Sequence, residues 1–306
     1  MIIFPNLGLE FEHVGTGISI FGFEITFFGI FLGLSLLLGI GLTMAEAYSS
    51  GQNLDEYLNL SIITVLAALL GARLYYVIFQ FGNYKSAIWN IFLFRKGGLD
   101  FYGALIAGAV TILIYGYFQK VSSGKILDTA SIGLAAGQIL CTWGAYFNRE
   151  CFGDYTDGLF AMQIPLNSVS YGAVTENMRK HIEMIDGERF IQVRPLFLAA
   201  FIWSIVVLVV VILYKYRKKF EGELFLVYLL AYSVGRFMIE GARVDVLTIP
   251  GIGWKASRVV AVLMIVIAAL MMLYMWTQND KARMKRVRER EVKKFSKKSR
   301  GKISLK

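Results

Sequence analysis

The chain has 306 residues, 56% of them apolar and 18% charged, with a mean hydropathy of +0.56; a soluble domain carries about 25% charged residues, so a water-soluble enzyme is excluded. The formal net charge of +10 is local: residues 277–306 hold thirteen Lys or Arg and three acidic residues, and the remainder is balanced. A basic run directly after an apolar helix, with Phe295 its single aromatic, points to an anionic lipid surface as partner and excludes nucleic acid as the expected one.

The first residues, Met1-Ile2-Ile3-Phe4-Pro5, lack the positive start and small-residue cleavage site of a signal peptide and are expected to stay in the mature chain. Because lipid offers no partners to backbone groups, a spanning helix needs about 20 mainly apolar residues. Seven stretches qualify, near 24–46, 58–81, 102–119, 127–148, 195–214, 222–241 and 256–276. The expected fold is therefore an all-α polytopic membrane protein. Its transmembrane domain covers 1–276, with a small external head at 149–194 between the fourth and fifth helices, and a basic, disordered cytoplasmic tail at 277–306. The head is too short for a strong core of its own and should rest on the membrane helices.

An odd number of spans puts the two ends on opposite faces. With the tail inside, the cytoplasmic segments hold 19 Lys or Arg and the outer segments 11, which orients the N-terminus outward. The expected location is the bacterial plasma membrane.

Polar residues inside spans mark candidate sites, because a mid-bilayer arginine costs about 2.5–3.5 kcal/mol on insertion scales. Arg73 stands in Gly71-Ala72-Arg73-Leu74-Tyr75-Tyr76 and reads first as a structural ion-pair partner. The third span is preceded by Gly97-Gly98-Leu99-Asp100-Phe101-Tyr102-Gly103, whose glycines permit close backbone approach. The fourth ends in Trp143-Gly144-Ala145-Tyr146-Phe147-Asn148-Arg149-Glu150-Cys151-Phe152-Gly153, where Asn148 and Glu150 suggest a polar pocket open to the outer face. Cys141 and Cys151 form neither a disulfide framework nor a metal cluster. In the sixth span Tyr232, Arg236, Glu240 and Arg243 are spaced four, four and three apart and share one helical face. That stripe suits either a bidentate phosphate grip by Arg236 or an ion-pair seam between helices.

Taken together, these segments resemble the bacterial prolipoprotein diacylglyceryl transferase family, over about residues 18–276. The resemblance implies transfer of the diacylglyceryl group from phosphatidylglycerol to the lipobox cysteine thiol at a prolipoprotein signal peptide, with no metal or organic cofactor. It further implies catalytic roles for Glu240, Glu150, Tyr232 and Tyr102, and substrate binding by Arg236, Arg243, Arg73, Asn148, Gly153 and Thr142. A thiol of pKa about 8.5 needs a base or a cation nearby, and Glu240 and Glu150 both remain open for that part.

Several family positions are altered. Phe28 stands where a Tyr is usual, Thr142 and Ala145 where Arg and Asn are, Ala199 and Ala200 where a Tyr and a Glu fall, and Arg258 where a Gln follows the serine. Each change but the last removes a hydrogen-bonding group from the expected cavity, so a second reading stands beside the first: a relative that binds lipid or lipoprotein without transferring anything.

Overall fold

A computed structural model describes residues 1–12, 14–21, 23–80, 98–245 and 255–303, with side chains described to Met284 apart from a few positions. Gly97 and the expected end of the second span at Phe81 lie outside the described residues. The membrane helices are α1 (Phe27–Ser49), α2 (Leu54–Phe79), α3 (Phe101–Gln119) and α4 (Ser123–Phe147). After a short α5 (Glu176–Lys180) come α6 (Leu196–Tyr214), α7 (Glu223–Ala242) and α8 (Ala256–Ile303). Among the described residues, seven helices are long and apolar enough to cross a membrane. Their outer sides expose Leu66, Leu70, Leu74, Leu113, Leu213 and Leu270, a surface compatible with lipid and not with water. The protein is a multi-pass membrane protein.

Capping explains where the helices depart from hydropathy. Asn53 accepts the Asp55 amide at 3.1 Å, and Asp55 and Glu56 complement the dipole in the first turn, so α2 starts four residues before its apolar run. Buried Asp128 on α4 accepts the amides of Gly222 at 2.9 Å and Phe225 at 3.0 Å, capping α7 from a neighbouring helix. At the other boundary, α8 does not stop with the apolar residues. Its backbone stays helical to Ile303 where a disordered tail is expected from 277, because Lys, Arg and Glu extend a helix readily once the span has nucleated it.

Glycine pairs set the closest helix contacts. A Cβ on Gly133 of α4 would stand 2.2 Å from the Gly39 carbonyl oxygen of α1, and one on Gly103 of α3 would stand 2.4 Å from that of Gly71 on α2. The backbones touch there, as small-residue packing in membranes requires.

The head contains more of the chain than 149–194. Strands β1 (Ile2–Phe4) and β2 (Leu9–Phe11) join β5 (Met162–Pro165), β6 (Glu183–Ile185) and β7 (Glu188–Val193) in an antiparallel sheet ordered β2-β1-β5-β7-β6. A separate hairpin, β3 (Gly17–Ile20) and β4 (Phe23–Thr26), leads straight into α1. The N-terminal strands are too short to show a period-2 pattern in sequence, so a head read from sequence alone leaves them out. Ile2, Met162, Ile164, Ile191 and Val193 bury one sheet face against Tyr146 and Phe197 at the ends of α4 and α6, so the head rests on the membrane helices.

Candidate functional site

The site is built on the last three turns of α7. Trp203 of α6 fits against Gly235, where a Cβ would stand 2.0 Å from its ring, and donates to the Ala231 carbonyl at 2.9 Å. With that side of α7 filled, the stripe of Tyr232, Arg236 and Glu240 turns toward α3 and α8.

Arg236 donates to the Tyr232 hydroxyl at 3.0 Å and pairs with Glu240 at 3.3 Å. Glu240 is 2% exposed and also accepts from Arg243 at 3.0 Å and from the Ser257 hydroxyl at 2.7 Å. Arg243 forks onto Asp245, at 3.0 Å through Nε and 2.8 Å through Nη2. The ion-pair seam and the grip are thus parts of one chain of contacts: Glu240 and Asp245 neutralise Arg243, and Arg236, 34% exposed, keeps an open edge. That edge meets a cavity of about 40 Å³ lined by Phe101, Tyr102, Tyr232, Arg236, Ser257 and Met264, with the Phe101 ring 5.7 Å from the guanidinium carbon. Tyr102 reaches the cavity because Asp100 caps α3, accepting the Tyr102 amide at 2.8 Å.

The end of α4 closes the site on the side of the head. Arg149 and Cys151 take left-handed backbone conformations, φ 54° and 59°, and turn the chain sharply after Asn148. The Cys151 amide donates to Asp245 at 2.9 Å, Val244 N–H donates to the Phe152 carbonyl at 3.2 Å, and Gly153 bridges Arg243. Glu150 accepts from Asn148 at 2.9 Å. Burial against the protein pushes its carboxyl upward, the Asn148 hydrogen bond opposes this, and Asp245 adds to the rise, although the outer edge of the residue is exposed. Burial also pushes the Cys151 thiol up to about 11, which removes it as a nucleophile.

The residues singled out by sequence therefore fall into three groups. Tyr102, Tyr232 and Arg236 line the cavity, and Glu240 and Arg243 are joined to it through Arg236. Asn148 and Glu150 stand just past the end of α4, next to the Arg243–Asp245 fork. Arg73, Thr142 and Gly153 make contacts within the scaffold. Arg73 is buried and donates to the Gly98 carbonyl at 3.0 Å, holding the turn into α3. The Thr142 hydroxyl donates to the Ile139 carbonyl of its own helix at 2.7 Å. Gly153 donates its amide to Arg194 and has the Ala242 carbonyl 3.1 Å from where a Cβ would be. Of the other altered positions, Phe28 lies against Gly144 and Ala145 against the head core.

Asp245 and Ser257 complete the site and carry no such expectation from sequence. Asp245 follows α7 and Ser257 opens α8, and only the fold places them on Arg243 and Glu240. The described residues contain no cluster of three or more His, Cys, Asp or Glu able to hold a metal.

A sequence model described as prolipoprotein diacylglyceryl transferase matches residues 16–274. Three similar proteins carry the name phosphatidylglycerol–prolipoprotein diacylglyceryl transferase. That of Clostridioides difficile (strain 630) is 30% identical over 85% of this chain and 95% of its own length. That of Clostridium botulinum (strain Langeland) is 31% identical over 84% and 92%. That of Bacillus licheniformis is 31% identical over 89% and 92%.

Proposed function

We propose that this chain, which belongs to the prolipoprotein diacylglyceryl transferase family, moves the diacylglyceryl group of phosphatidylglycerol to the lipobox cysteine of a prolipoprotein. The observation that carries this reading is Arg236, whose guanidinium is oriented by Tyr232 and Glu240 and faces a cavity between α3, α7 and α8.

In the reaction the thiol sulfur attacks the glyceryl carbon bonded to the phosphate oxygen. A C–S bond forms, the C–O bond breaks, and glycerol phosphate leaves with the bonding pair. Arg236 is oriented to hold two phosphate oxygens and to stabilise the charge that builds on the leaving group. Glu240, which accepts from two guanidinium groups and a hydroxyl, positions Arg236. Glu150 has one donor and a carboxyl pushed upward, which suits acceptance of the thiol proton. Tyr232 and Tyr102 are hydroxyl donors at the cavity wall.

The head and N-terminus face outward, where lipobox segments emerge, and the C-terminus lies in the cytoplasm of a bacterial cell; the excess of Lys and Arg on the tail side supports this. The basic end of α8 then meets the anionic inner leaflet.

Incubating purified protein with phosphatidylglycerol and a lipobox peptide tests the reading by mass spectrometry. A peptide heavier by one diacylglyceryl group is expected, and Arg236→Ala should lower its rate by about 10²–10³. Retained lipid with no modified peptide would replace transfer with binding alone, the reading that Thr142 and Ala145 leave open.

A further inference from the structure

Arg258 begins the first turn of α8, one residue after the serine that reaches Glu240. Its guanidinium carbon lies 4.3 Å from the centroid of the Phe237 ring. It also lies 3.5 Å from where a Cβ on Gly241 would stand, so the glycine leaves room for the planar head. Phe237 and Gly241 are four apart and form the α7 stripe beside the one carrying Arg236 and Glu240.

Charge sets this arginine apart from its neighbours. Arg236 and Arg243 have carboxylates, and Lys255 donates to the carbonyl oxygens of Gly241 and Arg243. Arg258 has no carboxylate among the described residues, and its Nε is buried with no acceptor there. Residues 81–97, 246–254 and 304–306 contain no Asp or Glu that could supply one. Glu289 and Glu291 lie more than thirty residues along the same helix, over 45 Å away at about 1.5 Å per residue. At the adjoining ends of α7 and α8, Arg236 and Arg243 are matched by Glu240 and Asp245 and Lys255 rests on carbonyl oxygens, whereas Arg258 has no anionic partner among the described residues. A half-buried guanidinium left over from such pairing is costly until an oxyanion occupies its fork.

We propose that Arg258 is a second phosphate-binding residue of this protein, holding a phosphate oxyanion at the α7–α8 seam beside the cavity gripped by Arg236. The phosphate belongs either to intact phosphatidylglycerol or to released glycerol phosphate; this choice rests on the transfer reading, whereas the unmet cation does not.

Arg258→Gln, Arg258→Lys and Phe237→Leu, each checked for unchanged melting, separate the cases. Phosphatidylglycerol retention is read by native mass spectrometry and KM by transfer, with glycerol phosphate as competitor. If the lipid phosphate binds here, Arg258→Gln weakens retention and raises KM about tenfold, the loss of one charge-assisted contact, with kcat nearly unchanged; Lys restores part. If the released product binds here, KM stays and inhibition by glycerol phosphate weakens about tenfold. Unchanged retention, KM and inhibition in Arg258→Gln would overturn the assignment. Should the unmodified protein transfer nothing while Arg258→Gln still loses lipid, Arg258 stands and the transfer reading falls. Phe237→Leu keeps the cation without its platform and should weaken the same ligand by about threefold.

Discussion

Glu240→Gln separates positioning from proton transfer. The side chain keeps its size, and the amide oxygen can still accept from Ser257 or from one guanidinium, but the negative charge shared by Arg236 and Arg243 is gone. Arg243 retains its fork on Asp245, so the decisive loss falls on Arg236, whose remaining side-chain hydrogen bond is to Tyr232 at 3.0 Å. A hydrogen bond to a charged group is worth about 1.5–3 kcal/mol, and partial exposure of Arg236 places the stability loss near the lower end. An arginine no longer held in line should cost about 10²–10³ in transfer rate. Transfer to a lipobox peptide, followed across pH beside thermal unfolding in the same detergent, reads both quantities. A positioning role gives a loss of the same size at every pH. Full activity, or a loss recovered at alkaline pH where the thiol ionises unaided, would refute the positioning role.

Two further outcomes follow from the same geometry. If the Glu150 carboxylate takes the thiol proton, transfer should fall as pH drops through its raised pKa, placing that limb above the ordinary carboxylate value of 4.5; Glu150→Gln should abolish the limb and slow transfer by about 10²–10⁴, while Asn148→Ala, removing the opposing hydrogen bond, should move it higher. Gly98→Ala puts a Cβ 2.6 Å from Arg73 Nη1 at a residue with φ +76°, so thermal unfolding should show a loss of about 1–3 kcal/mol, and an unchanged melting curve would separate Arg73 from the turn into α3.

Hydropathy locates seven spans because lipid imposes one simple rule on every residue of a spanning helix. The polar stripe of α7 is legible for a related reason: Tyr232, Arg236, Glu240 and Arg243 are too costly to face lipid and too regularly spaced to be scattered. Asp245 and Ser257 belong to the same contacts and stay hidden, since a single polar residue at a helix end costs nothing and draws no attention. Arg73 and Arg236 look alike in sequence, each a guanidinium within an apolar span. Only the fold shows that one braces a glycine turn and the other borders a cavity. The strands that complete the head depend on pairing across more than half the chain, beyond the reach of any local pattern.

That pairing sets an order for biogenesis. Ile3 sits opposite Gln163 in the ladder, a separation of 160 residues, and at about 5–20 residues per second the ribosome needs roughly eight to thirty seconds to bridge it. Strand β1 is made first and waits with β2 alone beside it while four helices are made; β7 follows β5 and delivers the chain directly to α6. The sheet thus completes late, and a nascent chain arrested before that moment would leave an open sheet edge for chaperones or proteases to find.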